Sequence, residues 1–141
     1  MSVELPFAPV DTVIRRNAGD LRVSAGATEA LASAIQDRGA ALAAEAAERA
    51  TADGRKTLMA EDFDAPDVDD EDLVLPIAPV DRIARLDIDD RYRVSMDARV
   101  ALAAALEEWA DEVAAGAAVL ARHADRRTVL DDDVETYLAL G

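Results

Sequence analysis

His123 is the only histidine in this chain, and there is no cysteine. A nucleophile therefore has at most one imidazole to activate it, and neither a thiolate metal site nor a disulfide can form. No glycine-rich phosphate loop and no common metal-ligand spacing occurs. The run Asp131-Asp132-Asp133 could attract a cation weakly. A helix cap at Asp131 followed by first-turn acids accounts for it better. With no site constellation the chain is not expected to be an enzyme, and neither a metal nor a cofactor is expected.

What remains is a set of basic residues in a repeated pattern. Arg22-Val23-Ser24 returns as Arg93-Val94-Ser95, and Gly54-Arg55-Lys56-Thr57 returns as Asp125-Arg126-Arg127-Thr128, both at an offset of 71 residues. Leu5-Pro6-Phe7-Ala8-Pro9-Val10-Asp11 returns as Leu75-Pro76-Ile77-Ala78-Pro79-Val80-Asp81 at an offset of 70, so one residue is added before Arg93. Three blocks recurring in the same order indicate duplication.

The elements between the blocks read the same way in both copies. A short helix begins near Pro9 or Pro79, where proline suits a first turn, and runs to about Asn17 or Leu86. Ser24 and Ser95 read as N-caps of long alanine-rich helices ending near Ala52 and Ala124. Leu31, Ile35 and Leu42, then Leu102, Leu106, Trp109, Val113 and Leu120, fall at helical spacing. A turn at Arg55 to Leu58, or Arg126 to Leu130, leads to a last helix, with Val134, Tyr137 and Leu138 as its apolar face in the second copy. A helix of about 29 residues spans roughly 43 Å, too long for two short neighbours to cover. Each long helix needs the other. The expected fold is all-α, with segments 1–63 and 75–141 separated by an acidic linker over 64–74. Asp64 to Asp72 holds six acids and Pro66 and reads as a solvated spacer.

The composition is acidic. The 141 residues carry 30 acids against 15 bases, a net charge of −15, and Lys56 is the only lysine. A dense carboxylate surface nearly without lysine suits a salt-rich cytoplasm, where screening removes self-repulsion. No uninterrupted apolar run approaches membrane-spanning length, and the stretch from Met1 to Pro9 has neither the basic cap nor the apolar core of a signal peptide. A soluble, cytoplasmic protein without membrane contact is expected.

A short-long-short helical unit that opens with LPxAPV and carries RVS before the long helix and GRKT after it resembles the archaeal histones. The likeness covers nearly the whole chain outside the linker, on Leu5–Val10, Arg22–Ser24 and Gly54–Thr57 and their repeats; the second GRKT lacks its glycine. The arrangement resembles the doublet histones of halophilic archaea. The resemblance implies two tandem histone folds paired in an intramolecular handshake, binding double-stranded DNA without sequence specificity at the nucleoid. It places Arg22 and Arg93 in the minor groove and Lys56 and Arg127 on phosphates, with Thr57 and Thr128 beside them. Arg15, Arg82 and Arg85 take the phosphate-facing places on the short helices, although Thr12 replaces the family's arginine. It pairs Arg55 with Asp62 and Arg126 with Asp133. It also implies self-association of two chains through the second copy, by Leu120, His123 and Asp133; the first copy has Arg49 and Ala52 instead of the leucine and histidine. The plain alternative for His123 is favourable placement at a helix C-terminus.

The charge is unevenly spread. The segments that would face DNA, 8–23, 53–58, 78–94 and 124–130, hold 11 bases and 8 acids, and the rest of the chain 4 bases and 22 acids. Two readings are open. One is an architectural chromatin protein that bends or wraps DNA, in a regulatory rather than a bulk-packaging role. The other is a histone-fold interaction module for transcription-related proteins, with little DNA affinity and its arginines paired to acids such as Asp89 and Asp90.

Crowded carboxylates make folding salt-dependent. Thermal unfolding in rising KCl should show a gain in Tm on the order of 10 °C, the shift expected from a few kcal/mol in a chain of this size. A flat response would remove the high-salt reading.

Overall fold

The computed structural model describes residues 3–141; Met1 and Ser2, with which the first expected segment begins, lie outside the described residues. In chain order the elements are α1 (Phe7–Ala18), β1 (Arg22–Val23), α2 (Ala25–Ala52), β2 (Thr57–Leu58), α3 (Ile77–Ala84), β3 (Arg93–Val94), α4 (Met96–His123), β4 (Thr128–Val129) and α5 (Asp131–Leu140), with single 3₁₀ turns at Ala60–Asp62 and Asp70–Asp72. Among the described residues no helix is long and apolar enough to cross a membrane.

Local chemistry explains where the helices begin. Pro9 and Pro79 sit in the first turns of α1 and α3, where a backbone N–H would have no helical partner in any case. The Ser24 hydroxyl accepts the Ala27 N–H at 3.0 Å, and the Ser95 hydroxyl accepts that of Ala98 at 3.1 Å. The long helices α2 and α4 have 28 residues each. They pack on one another, and α1 and α3 pack on both. At Gly39 a Cβ would lie 2.6 Å from Ile83 Cγ2 and 3.0 Å from Leu106 Cδ1, so α2, α3 and α4 meet there only because that residue has no side chain.

The short strands decide the topology. β1 pairs in parallel with β4, Arg22 opposite Thr128 and Val23 opposite Val129. β2 pairs in parallel with β3, Thr57 opposite Arg93 and Leu58 opposite Val94. Each pair joins the loop before one copy's long helix to the loop after the other's. A single apolar cluster runs through both copies, including Val10, Ile14, Leu31 and Ile35 from the first and Ile83, Leu102, Leu106 and Val113 from the second. The missing second glycine is accommodated by conformation. Gly54 has φ +74°, and Asp125, at the same place in the repeat, has φ +58°, a region that Asp enters more readily than most side chains.

The expected elements need three corrections. The first copy has no last helix, only the 3₁₀ turn at Ala60–Asp62. Pro66 has no N–H to continue a helix and disfavours helical geometry at Ala65. In addition, α5 seats the Tyr137 ring on Gly116, whereas the repeat places Glu45 at the corresponding site on α2. Asp131 is not the cap of α5: Leu130 holds that position, and its N–H is taken by the Asp133 carboxylate at 2.8 Å. Finally, α3 stops at Ala84, not Leu86, which is exposed. The linker is solvated at its acids, but Ala65, Leu73 and Val74 pack against the core.

Candidate nucleic-acid interface

The cross-paired strands bring together basic residues that lie far apart in sequence. At one end the Arg22 N–H donates to the Arg127 carbonyl at 2.8 Å, setting Arg22 beside Arg127 and Thr128. At the other end the Arg93 N–H donates to the Lys56 carbonyl at 2.8 Å, setting Arg93 beside Lys56 and Thr57. The second bond of each pair, Ser24 N–H to Val129 and Ser95 N–H to Leu58, ties the capping serine into the same ladder. One backbone arrangement thus starts the long helix and places the arginine before it.

Arg22, Lys56, Arg93 and Arg127 are exposed. They are also the lysine and arginine side chains of the described chain that make no ion pair, hydrogen bond or ring contact. Every other arginine is held. Arg15 lies 2.7 Å from Asp11, Arg82 lies 2.9 Å from Glu4, and Arg85 lies 3.1 Å from Asp81. Arg15, Arg82 and Arg85 are therefore neutralised by neighbouring carboxylates, while the four loop cations are left unpaired. Of the acids named above as partners for arginine, Asp89 lies 3.9 Å from Arg91, a loose pair.

Beneath each loop a buried carboxylate does two jobs. Asp62 accepts from Arg55 at 2.8 and 3.0 Å and from the Met59 N–H at 2.8 Å. Asp133 accepts from Arg126 and from the Leu130 N–H. Each carboxylate holds the arginine next to a loop cation and caps the element that comes after the loop. The Arg55 guanidinium, helped by the Met59 N–H, keeps the Asp62 carboxyl below its usual range against the opposing effect of burial. Leu120 is half-buried and His123 exposed at the end of α4, while Asp133 is buried.

Several contacts have no local signal in the sequence. Arg16 of α1 reaches Asp111 at 2.7 Å and Glu107 at 3.0 Å on α4. Arg122 donates to the Ala18 carbonyl at 2.9 Å, tying the end of α4 to the end of α1 beside the Arg22 site. Next to Arg93, the Tyr92 and Thr51 hydroxyls are bonded to each other. Partners this far apart in sequence leave no periodicity to read.

The profile of the family described as histone-like transcription factor (CBF/NF-Y) and archaeal histone matches the chain twice, over residues 3–65 and 73–138. The chain belongs to this family. It is 53% identical over 60 residues to the archaeal histone HAN1 of Thermococcus zilligii, an alignment covering 43% of this chain and 87% of that one. It is similar in structure to the histone of Methanopyrus kandleri, with a TM-score of 0.69 at 26% identity over 94% of this chain and 92% of that one. A solved protein of Thermus thermophilus shares the fold at 17% identity, with a TM-score of 0.74 over 97% of this chain and 96% of that one. On this histone fold the free cations of the described chain sit only where the loops cross-pair.

The Asp62 carboxylate supports the fold while it is ionised. Because its folded pKa is lowered, its contribution is present above the ordinary carboxylate pKa of about 4 and is lost as pH falls through the lower folded value. Asp62→Asn should lower Tm at pH 7 by roughly 3–8 °C through loss of the charged hydrogen bonds. It should also lessen the drop in Tm between pH 5 and pH 3. An unchanged acid profile in thermal unfolding would show that the pair contributes nothing.

Proposed function

We propose that the chain is a DNA-binding architectural chromatin protein in which both halves of a histone dimer are supplied by one polypeptide. The observation that carries this reading is the pairing of the free cations: Arg22 with Arg127 at one end and Arg93 with Lys56 at the other, each pair set by a backbone bond of 2.8 Å. Unpaired exposed cations at two fixed points suit the phosphates and minor groove of a duplex and carry no base-edge code. Binding is therefore non-sequence-specific, and a rigid spacing of the two ends bends or wraps the duplex. The stretch of duplex between the two ends is held only weakly by α1 and α3, since Arg15, Arg82 and Arg85 must first leave Asp11, Glu4 and Asp81. This modest affinity fits a regulatory role at the nucleoid better than bulk packaging. In a salt-rich cytoplasm only contacts shorter than the screening length survive, which leaves the loop cations in play and silences the remote acids. The histone-fold interaction module for transcription-related proteins is favoured by the net charge of −15 and by the pairing of Arg15, Arg82 and Arg85 with carboxylates.

Replacing Arg22 and Arg93 together by Ala should weaken duplex binding by about tenfold or more, alike on all sequences, since each lost contact costs on the order of 1 kcal/mol. Fluorescence anisotropy from 0.1 M to 4 M KCl measures this. Unchanged affinity in a folded double variant would leave the interaction module as the reading.

Self-association is proposed to run through the second copy alone. Val119 is 61% exposed there, next to Leu120 and on the same end of α4 as His123. Asp133 already accepts two bonds, but a carboxylate has about four acceptor positions and can take a partner's histidine as well. At the first copy Arg49 bends to the Asp62 carbonyl at 2.6 Å and offers no apolar patch. A contact made by one end only is symmetric and closes. Light scattering in high salt should give a pair of chains, reduced to single chains by His123→Ala. Longer polymers, or single chains at every concentration irrespective of the substitution, would refute it.

A further inference from the structure

In the second copy α5 lies across α2 and α4, with the Tyr137 ring on Gly116 and Val134 fully buried. The repeat sets Leu42 and Glu45 of α2 at the places of Val113 and Gly116. No helix covers them. After the 3₁₀ turn at Ala60–Asp62 the chain departs at Pro66, leaving a groove of about 320 Å³ between α2 and α4. Leu42, Phe63 and Trp109 form its apolar lining, and Glu45, Asp64 and Glu108 its acidic rim. These three carboxylates are exposed and make no ion pair within the described chain. The arginines of the groove are already engaged: Arg38 lies over the Trp109 ring at 5.0 Å, and Arg49 is bonded to the Asp62 carbonyl.

We propose that this groove docks a short amphipathic helix of another protein, basic on its polar side, in the seat corresponding to that of α5. The seat dictates the form of the occupant. A crease between two long helices accepts a third helix by its apolar stripe, and α5 fills its own crease with Val134, Tyr137 and Leu138 at i, i+3 and i+4. The rim dictates the charge, because three unpaired carboxylates attract lysine or arginine on the flanks of that stripe. A second copy of this chain is a poor occupant: α5 opens with Asp131, Asp132 and Asp133 and would bring like charge to the rim.

The groove does not compete with the proposed DNA surface. Glu107 and Asp111 bond to α1, whereas Trp109, about 200° further round α4 from Glu107, faces the groove. The inference therefore does not rest on DNA binding, and a helix and a duplex can be held together.

Trp109 is the only tryptophan and lies in the groove, so its fluorescence reports occupancy. The probe is a synthetic peptide with the α5 sequence in which the acids are replaced by lysine; the unaltered α5 peptide is the control. They are titrated into the full chain in about 1 M KCl, where screening beyond 3 Å leaves contact charges dominant. The basic peptide should shift the Trp109 emission to shorter wavelength, and the acidic one should not. Glu45→Lys with Glu108→Lys, both exposed and harmless to the core, should weaken binding by about tenfold or more, as should Leu42→Glu, each removing at least 1.4 kcal/mol. Saturation with duplex DNA should leave the peptide affinity unchanged. No response to the basic peptide, an equal response to the acidic one, or indifference to the double charge reversal would overturn the proposal. So would displacement by DNA, or a shift of Trp109 on concentrating the protein alone that Leu42→Glu abolishes and His123→Ala does not, which would assign the groove to a second copy.

Discussion

The cross-pairing of the loops is the interaction on which the rest depends. Four backbone hydrogen bonds, from Arg22, Ser24, Arg93 and Ser95 to carbonyls of the opposite copy, fix the crossing of α2 and α4 at both ends. Backbone donors and acceptors at these helix starts would otherwise be left to water, and their pairing gives the two loops one allowed register. The same bonds carry the arginines into position, so fold and candidate interface are set by one arrangement. Neither copy has an apolar core of its own, since the buried residues of both form one cluster. Duplication supplied the partner that a long amphipathic helix needs.

Electrostatics then divides the arginines by their neighbours. An arginine within reach of a carboxylate is neutralised by it, and in a chain with twice as many acids as bases most arginines meet that fate. Arg55 and Arg126 hold the loops, Arg16 holds α1 to α4, and Arg15, Arg82 and Arg85 are paired on the surface of the short helices. Arg22, Lys56, Arg93 and Arg127 escape because no carboxylate of the described chain comes within ion-pair distance of them. A strongly negative protein can thus keep two local positive points, and salt that screens distant charge leaves these points intact.

The two copies have diverged beyond their second loops. Asp62 and Asp133 hold the same bonds, yet only Asp133 starts a true helix. Gly116 makes room for Tyr137 on α4, and the exposed Glu45 stands at the same place on α2. One side of the molecule is therefore finished by its own chain, and the other keeps an open groove with an acidic rim. A pseudo-symmetric core with unequal ends gives a single chain distinct surfaces that a symmetric dimer of identical chains would lack.

The duplication, the helix order and the serine caps are legible along the chain. They are readable because each is local or repeated: proline in a first turn, serine before an alanine-rich helix. Both loop motifs, and the pairing of Arg55 with Asp62 and of Arg126 with Asp133, are legible only through the resemblance they carry. Which arginines remain free is settled only in the folded chain. Arg82 and Arg93 look alike in sequence, but Glu4 reaches the first and no acid reaches the second. The tie of Arg122 to Ala18 and the stacking of Arg38 on Trp109 also join residues with no sequence proximity. The loss of the first copy's last helix was only half legible. Pro66 disfavours a helix at that point, whereas the place of Glu45, opposite Gly116 in the repeat, matters only once α2 and α4 cross, because that crease is made by residues of both copies.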